Sequence, residues 1–384
     1  MMALQCEMKS MLLWSLRLMR ALGLAPYKCN NGNCVKSQVR LGFSISMQNL
    51  IFISVACRIT DVVNGYSKNK SDVYFMIRDL YGLFYYGMMM LISFHFLTSS
   101  AHVVRIVRYL NDSSTSPKSV SRSQYISAGL IVITVCQQIY RSSMDHYAVS
   151  MSKFILGCAS NLIYISYLGL PFIFHSLIKL FTLDLRQSTS HIIYWKNNTC
   201  FEAQQFQDDA NEDFVERDLA NIWINLIRIR RVITETQKAF SGVVLGVIAI
   251  DQYQLVLAVL FASYDTISQN SVISSLFYTF PTALQLYLIL DSQTEYLKVC
   301  EEGVKRVTRL TAAAGCTGTQ NWKTVWQLRG IKAGLKSMPR FSVFGLFELG
   351  RHCLLSMGSI ALTYVIIAVQ FTTSNSPVTC KAFA

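Results

Sequence analysis

The sequence has few charged residues. Only 15% of its 384 residues are Asp, Glu, Lys or Arg, whereas soluble domains contain about 25%. Hydrophobic residues make up 52%, and the mean hydropathy is +0.33. This composition argues against a single soluble globule and against intrinsic disorder. The apolar residues fall into runs long enough to cross a bilayer, separated by polar and basic stretches, so we expect a membrane protein.

The sequence also lacks the motifs of common catalytic and nucleotide-binding sites. It contains no P-loop, no GxGxxG opening a helix, no GxSxG and no HExxH, and its six histidines show no ligand-like pairing. Catalysis and metal binding need titratable groups that converge on one point. We therefore expect no catalytic residue, no metal site and no cofactor, and the sequence does not predict an enzyme.

Seven apolar runs predict an all-α membrane protein with seven transmembrane helices. At about 1.5 Å per residue, each run crosses or nearly crosses a hydrocarbon core of about 30 Å. The predicted spans are 41–57, 73–98, 124–140, 154–180, 239–264, 271–290 and 341–373. The corresponding regions are an N-terminal segment (1–40), helices one to four (41–180), a helical loop (181–238), helices five and six (239–290), a loop with an anchor helix (291–340), the last helix (341–373) and a tail (374–384).

The distribution of cations predicts the orientation. Of the 35 Lys and Arg residues, 27 lie on the side of the N-terminus and six on the other side. By the positive-inside rule, the N-terminus is cytoplasmic and the C-terminus extracellular, opposite to a G-protein-coupled receptor. The net charge of +13 is spread over loops rather than gathered in one patch, so no nucleic-acid partner is expected. Asn69 carries a sequon in a predicted outer loop and is a candidate for glycosylation.

Several inner segments have helical patterns but do not cross the membrane. Residues 11–24 predict an amphipathic helix lying under the membrane, not a cleavable signal peptide, and carry Leu12, Leu13, Leu16 and Met19 on one side. Residues 219–233 predict that the fifth span begins as a cytosolic helix, and 293–310 and 321–340 predict further inner helices. Oligomerisation would bury their apolar faces. In a reducing cytosol, no disulfide is expected at Cys29 or Cys34.

Polar and aromatic side chains within the spans predict a small-molecule pocket. Asp251 opens a polar run, Asp251-Gln252-Tyr253-Gln254, within the fifth span, where an ionisable group is expensive. Apolar walls with a few fixed hydrogen-bonding groups suit a ligand site, although interfacial Tyr belts and interhelical amide bonds give similar patterns. Glu348 and Arg351 are expected to pair on one helix face. The candidate ligand-binding residues are Tyr81, Tyr85, Gln137, Tyr164, Asp251, Tyr253, Gln254 and Tyr278.

The last predicted span ends Thr363-Tyr364-Val365-Ile366-Ile367-Ala368-Val369-Gln370-Phe371. This segment resembles the TYhhhhhQF signature (h, hydrophobic) near the C-terminus of insect gustatory receptors. Gly345-Leu346-Phe347 also looks like part of the final helix of that family, and residues 16–26 look like its N-terminal region. The length, the seven spans, the cytoplasmic N-terminus and the short outer tail agree with the resemblance.

The resemblance implies a ligand-gated, non-selective cation channel in the plasma membrane of sensory neurons, and it implies that no G protein is required. Four subunits, identical or from several family members, would form the pore with their last helices, and a small-molecule tastant would bind in the outer halves of helices two to six. Sugar receptors of the family carry Glu after the Thr-Tyr pair, where this sequence has Val365, so a bitter or other aversive compound is favoured. The implied pore and gate residues are Thr363, Tyr364, Ile367, Gln370 and Phe371.

Other functions remain open from the sequence. An odorant receptor of the same superfamily would differ mainly in its ligand and its partner subunit. A seven-helix metabotropic receptor is disfavoured by the cytoplasmic N-terminus. A carrier using Asp251 as a relay would be expected to show repeat symmetry, and the sequence has no convincing internal repeat.

Overall fold

The computed structural model describes residues 2–21, 23–30, 33–68, 73–112, 169–190, 209–263, 269–316 and 322–374. Two short antiparallel hairpins accompany the helices. The helices are α1 (Met2–Ala21), α2 (Gln38–Lys68), α3 (Val73–Thr98), α4 (Ser100–Asp112), α5 (169–190), α6 (Asp209–Ser263), α7 (Gln269–Cys316), α8 (Trp322–Lys336) and α9 (Arg351–Ser374). The strands are β1 (Tyr27–Asn30), β2 (Asn33–Lys36), β3 (Ser342–Val343) and β4 (Phe347–Glu348).

Two helical stretches among the described residues are long and apolar enough to cross a membrane, Gln38–Asn64 and Glu216–Leu257. A third would be the pair Gly82–Thr98 and Ser100–Asn111, which is bent by 63° at the junction of α3 and α4. The predicted spans at 41–57 and 73–98 lie in α2 and α3, and residues 239–263 of the span predicted at 239–264 lie in α6. The third predicted span, 124–140, lies outside the described residues.

The longest helix, α6, contains 55 residues and joins the predicted cytosolic helix to the fifth span without a break. The helical spacing at 219–233 is thereby confirmed. Helix α6 packs against α3, α4, α7, α8 and α9 and so forms the centre of the described core. Two glycines allow α3 to approach α6 closely. A Cβ on Gly242 would lie 2.5 Å from His95 Cγ, and one on Gly246 would lie 2.4 Å from Ile92 Cδ1.

The other predicted inner helices also form. Helix α5 continues beyond residue 180 to 190, α7 includes 293–310, and α8 occupies much of 321–340. One side of α8 is buried through Leu328, Ile331 and Leu335, whereas Trp322 and Trp326 are each more than 70% exposed. An exposed pair of indole rings on a single chain is a surface suited to another protein or to lipid.

The apolar side of α1 packs into the protein core, which differs from the expectation of a helix lying under the membrane. Leu12, Leu16 and Met19 are at most 1% exposed, and Leu13 is half-buried. The methyl group of Met19 occupies the space where a side chain on Gly169 of α5 would begin, since a Cβ there would lie 2.2 Å from it. The amphipathic pattern was therefore correct, but its partner is protein.

The β1–β2 hairpin contains a disulfide-bonded cysteine, so the expectation of no disulfide at Cys34 is wrong. Cys34 is fully buried, and its carbonyl oxygen accepts two hydrogen bonds from Arg108 of α4, at 2.9 and 2.7 Å. The expectation rested on the predicted reducing compartment, which gives no information on the burial of Cys34. Burial also raises the pKa of Tyr27 in β1 to about 12, although nearby arginines oppose the shift.

The last helix begins at Arg351, ten residues later than the span predicted from 341. Before it, Ser342–Val343 and Phe347–Glu348 form a two-stranded antiparallel hairpin. The turn has positive φ at Phe344 (50°) and Gly345 (75°), and Leu346 N donates to Val343 O at 2.8 Å. Such a turn matches the twist of the flanking strands. Hydropathy missed it because an apolar hairpin and an apolar helix have similar composition.

Candidate functional site

The candidate ligand-binding residues that the structure describes belong to α3 and α6, and one of them, Tyr253, lies where the two helices meet. The ring of Phe84 stacks on Tyr253, with centroids 5.0 Å apart and an interplanar angle of 23°. Asp251 and Gln254 on α6 are buried, with exposures of 4% and 9%. Tyr85 is half-buried and packs edge-on against the neighbouring Tyr86, with centroids 5.6 Å apart. The α3–α6 contact is thus aromatic, and the buried polar residues Asp251 and Gln254 lie within two residues of Tyr253 along α6.

The two helices meet along their length in antiparallel order. His95 contacts the position of Gly242, Ile92 contacts Gly246, and Phe84 stacks on Tyr253. From the first contact to the second, the chain advances three residues along α3 and four along α6. From the second to the third, it advances eight and seven residues, so the two helices stay in contact over this length. The aromatic region is therefore held at a fixed distance from the close glycine contacts.

The remaining candidates cannot be placed in this region. Gln137 and Tyr164 lie outside the described residues, as does Asn69, the candidate glycosylation site. Tyr81 and Tyr278 belong to α3 and α7, but their side chains lie outside the described part of the structure. What the structure adds is the contact of Tyr253 with α3 through Phe84, and Tyr85, Asp251 and Gln254 are near neighbours of these two residues along their helices.

Helix α9 presents a broad exposed side that carries most of the predicted gate residues. Tyr364 is 58% and Ile367 40% exposed, and Thr363 and Gln370 are also exposed. The opposite side, with Cys353 and Ala361, is buried against the protein. Thr363 Oγ1 donates to the Ser359 carbonyl at 2.9 Å, within the helix. The side chain of Phe371 lies outside the described residues.

Ion pairs hold the start of α9, and they differ from the pair predicted from the sequence. Arg351 binds Asp291 of α7, and Glu348 binds Arg340 at 3.0 Å, so the predicted Glu348–Arg351 pair is wrong. The reason is that Glu348 lies in β4 rather than on the helix. The Cys353 thiol donates to the Glu348 carbonyl at 3.0 Å and links the first turn of α9 to the hairpin.

Side chains from four helices hold the β3–β4 hairpin. Gln237 Nε2 of α6 donates to Ser342 Oγ at 2.5 Å and to Ser342 O at 3.3 Å. Phe341, fully buried, packs edge-on against Phe174 of α5 and Tyr296 of α7, with centroids 5.5 and 5.7 Å apart. The ring of His95 of α3 lies 5.4 Å from that of Phe344. The sequence analysis missed these contacts because they depend on the hairpin.

A buried carboxylate joins α4 to α6 near the bend between α3 and α4. Glu235 is 8% exposed and accepts bonds from Arg105 Nη1 at 2.8 and 2.7 Å. His102 Nδ1 lies 2.5 Å from the same carboxylate. Sequence reasoning missed this cluster, although two signals were available. Glu235 is a lone acid in a basic stretch, and His102 and Arg105 are three residues apart on one helix face.

A polar cavity of about 380 Å³ lies between α1, α4, α5 and α6, on the side predicted to be cytoplasmic. Within it, Tyr109 OH donates to Asp184, Lys9 Nζ lies 3.9 Å from Asp184, and Arg228 lies over the Tyr109 ring at 5.1 Å. The cavity is separate from the aromatic residues of the α3–α6 contact. These mutual pairings hold four elements together.

The apolar helices and their packing define an all-α membrane protein. The sequence model described as 7tm Chemosensory receptor matches residues 12–375, and the chain therefore belongs to this family. The resemblance to chemosensory receptors seen in the sequence is confirmed. Within the described residues, no group of three or more His, Cys, Asp or Glu side chains could hold a metal ion.

Two solved structures share the fold. The insect olfactory receptor OR5 from Machilis hrabei in complex with eugenol has a TM-score of 0.64 at 14% identity, covering 93% of this chain and 98% of that chain. A second structure of OR5 from Machilis hrabei gives 0.58 at 12% identity, with coverages of 92% and 96%. No curated protein is significantly similar in sequence.

Proposed function

We propose that this receptor is a gustatory, ligand-gated cation channel in which four subunits line the pore with α9. The observation that carries the proposal is the exposed apolar side of α9, which displays Tyr364, Ile367 and Gln370 on a single chain. In the family that the segment Thr363–Phe371 resembles, this helix lines the pore. A helix that combines an amide with apolar neighbours can gate by rotation and dewetting.

The proposed ligand is a small tastant bound where α3 meets α6. The buried Asp251 and Gln254 would supply hydrogen-bonding groups, and Phe84 and Tyr253 would supply an aromatic wall. Tyr85 borders the same region, and Tyr81, Gln137, Tyr164 and Tyr278 are proposed to complete it. Val365 stands where sugar receptors carry Glu, which favours a bitter or other aversive compound over a sugar.

A second candidate is an odorant receptor. The structure of OR5 from Machilis hrabei in complex with eugenol shares the fold of this chain over most of its length. Eugenol is a small aromatic molecule, and the stacked rings of Phe84 and Tyr253 offer a surface of the same chemistry. The two candidates share one gating mechanism and differ in the compound that opens the channel.

The proposed topology has a cytoplasmic N-terminus, a glycosylated Asn69 outside and an extracellular tail at 374–384. The channel would reside in the plasma membrane of sensory neurons, as a homotetramer or with other family subunits. The exposed Trp322 and Trp326 of α8 are proposed to lie between subunits. Ligand binding would open the pore because the open state binds the tastant more tightly than the closed state does.

The test is current from an excised patch without nucleotides, from cells expressing the full chain. The patch is exposed in turn to denatonium, caffeine, sucrose, sorbitol and eugenol. We expect a cation current within milliseconds that Gln370→Ala alters. Gln327→Ala on α8 serves as the matched control, because Gln327 Oε1 accepts no hydrogen bond from the described residues.

Each outcome discriminates between the candidates. Current with denatonium or caffeine supports the gustatory function, and current with eugenol alone supports the odorant function. A response that needs intact cells and GTP would indicate a metabotropic receptor and contradict the channel. Uptake of a compound with no current through a receptor at the cell surface would indicate a carrier.

A further inference from the structure

The β3–β4 hairpin is the direct covalent connection between α8 and α9. Its register pairs Ser342 with Glu348 and Val343 with Phe347, and Leu349 N donates to Phe341 O at 2.8 Å to close its base. Val343 and Leu349 are at most 1% exposed. Because the hairpin is short, anchored by the buried Val343 and Leu349 and closed at both ends, a displacement at Ser342 is passed on to the first turn of α9.

Helix α6 links the aromatic region to this hairpin. Gln237 and Asp251 are fourteen residues apart on one uninterrupted helix, or about 21 Å. Between them, α6 makes its close contacts with α3 at Gly242 and Gly246. A packed helix moves as a rigid body over this length rather than bending. A shift of α6 at Tyr253 therefore moves Gln237 as well.

Gln237 binds the hairpin through two hydrogen bonds. Its Nε2 donates to both Oγ and the carbonyl of Ser342, at 2.5 and 3.3 Å, and Ser241 Oγ donates to the same carbonyl at 3.4 Å. Two hydrogen bonds from one amide define the orientation as well as the distance of the partner. Ser342 lies nine residues before Arg351, where α9 begins.

We propose that Gln237 and Ser342 are the positioning pair by which α6 sets the position of α9. The inference rests on the proposed channel function and deepens it by naming residues that touch neither the ligand nor the pore. Coupling between two sites requires an element that both of them bias. The hairpin is that element, because α6 holds it on one side and it continues into α9 on the other.

A double-mutant cycle tests the pair in the full-length receptor. The variants are Gln237→Leu, Ser342→Ala and the double substitution, with Gln327→Leu as the matched control. We expect each single variant to shift the half-maximal concentration of the compound that opens the wild type by about tenfold. The double variant should shift it no further than Gln237→Leu alone, because Gln237→Leu already removes the bond to Ser342 Oγ that Ser342→Ala removes.

A second measurement does not depend on current. Thr363→Cys is introduced on α9, and the rate of its modification by a methanethiosulfonate reagent is followed by mass spectrometry of the α9 peptide. We expect Gln237→Leu and Ser342→Ala to change this rate in the same direction, Gln237→Leu by at least as much as Ser342→Ala, and Gln327→Leu to leave it unchanged. The amount of folded receptor at the surface is measured for every variant.

Two results would overturn the inference. One is an unchanged modification rate in folded Gln237→Leu and Ser342→Ala receptors, whether or not current is seen. The other is a double variant whose shift is the product of the two single shifts, since independent effects multiply. A wild type that passes no current, but whose rates respond as expected, would contradict a channel formed by this chain alone and leave the positioning pair supported.

Discussion

Arg351, the first residue of α9, donates hydrogen bonds from Nε and Nη2 to one carboxylate oxygen of Asp291 on α7, and the bond from Nε is 3.0 Å long. A cation at the N-terminus of a helix opposes the helix dipole. The carboxylate of Asp291 compensates for this positive charge. The first residue of α9 is thus bound to α7, and the first turn of α9 is bound to the preceding hairpin.

Charge reversal tests this attachment. Asp291→Arg places two cations at the start of α9, and we expect it to reduce the amount of folded receptor and its thermal midpoint. The double substitution Asp291→Arg, Arg351→Asp restores an ion pair and places a carboxylate at the N-terminus of α9, where the helix dipole favours it. It should therefore recover most of the loss. Fluorescence-detected chromatography after heating measures both quantities. Equal losses in the single and double variants would contradict the pairing.

The close contact of α3 and α6 predicts a sensitive glycine. Gly246→Ala brings a Cβ to 2.4 Å from Ile92, which is itself buried, so we expect a loss of about 1–3 kcal/mol in the free energy of unfolding. Gly87→Ala on α3 is the control, because a Cβ there meets no atom of the described residues within 4 Å. Denaturant unfolding compares the two variants. Equal stability would show that α3 and α6 can move apart at no cost.

The Glu235 cluster predicts a large difference between two glutamates of α6. Glu235→Ala leaves Arg105 and His102 without their shared acceptor, and we expect a loss of about 1.5–3 kcal/mol. Glu216→Ala removes an exposed pair with Lys323, at 3.9 Å, and should cost less than about 1 kcal/mol. Unfolding in the same detergent measures both. A similar loss for the two variants would contradict the central role of Glu235.

Two free cysteines predict opposite reactivities. Burial raises the pKa of Cys300 to about 12, although a hydrogen bond with Tyr296 opposes the shift, so this thiol stays protonated and enclosed. Cys57 is exposed. In solubilised receptor at pH 7.5, N-ethylmaleimide should modify Cys57 and leave Cys300 unmodified, as read by peptide mass spectrometry. Rapid labelling of Cys300 would mean that the α7 region opens.

The raised pKa of Cys300 also makes the stability of the folded receptor depend on pH. The folded state holds the Cys300 proton more tightly than the unfolded state, whose thiol has a pKa of about 8.5. This contribution to stability is complete below pH 8.5 and is lost as the pH rises toward 12. Cys300→Ala should flatten the stability profile in that range. An unchanged profile would assign the alkaline loss to other groups.

The sequence predicted the long helices well, because their signal is local and repeated. Buried Leu219, Ile222, Leu226 and Ile233 recur at helical spacing over four turns, and α6 indeed runs through them into the fifth span. The resemblance carried by Thr363–Phe371 also led to the correct family. Of the predicted pocket, the structure places Tyr253 in contact with α3, through the ring of Phe84.

The hairpin and its partners could not be predicted, because their signals are weak or distant in sequence. Phe341, Val343 and Leu349 read as part of an apolar span, and only Gly345 hints at a turn. The prediction of the Glu348–Arg351 ion pair was wrong for the same reason. A three-residue spacing suggested that Glu348 and Arg351 share a helix face, and this holds only if both lie in the helix. Asp291, the actual partner, is 60 residues away.

The contact between Met19 and Gly169 also constrains how the chain folds during synthesis. The two residues are 150 positions apart, so a ribosome adding 5–20 residues per second takes about 8–30 s to supply the partner of α1. During that interval, the apolar side of α1 lacks its contact with α5. The packing of α1 is therefore completed only after α5 has been synthesised, although its other partner, α4, is made earlier.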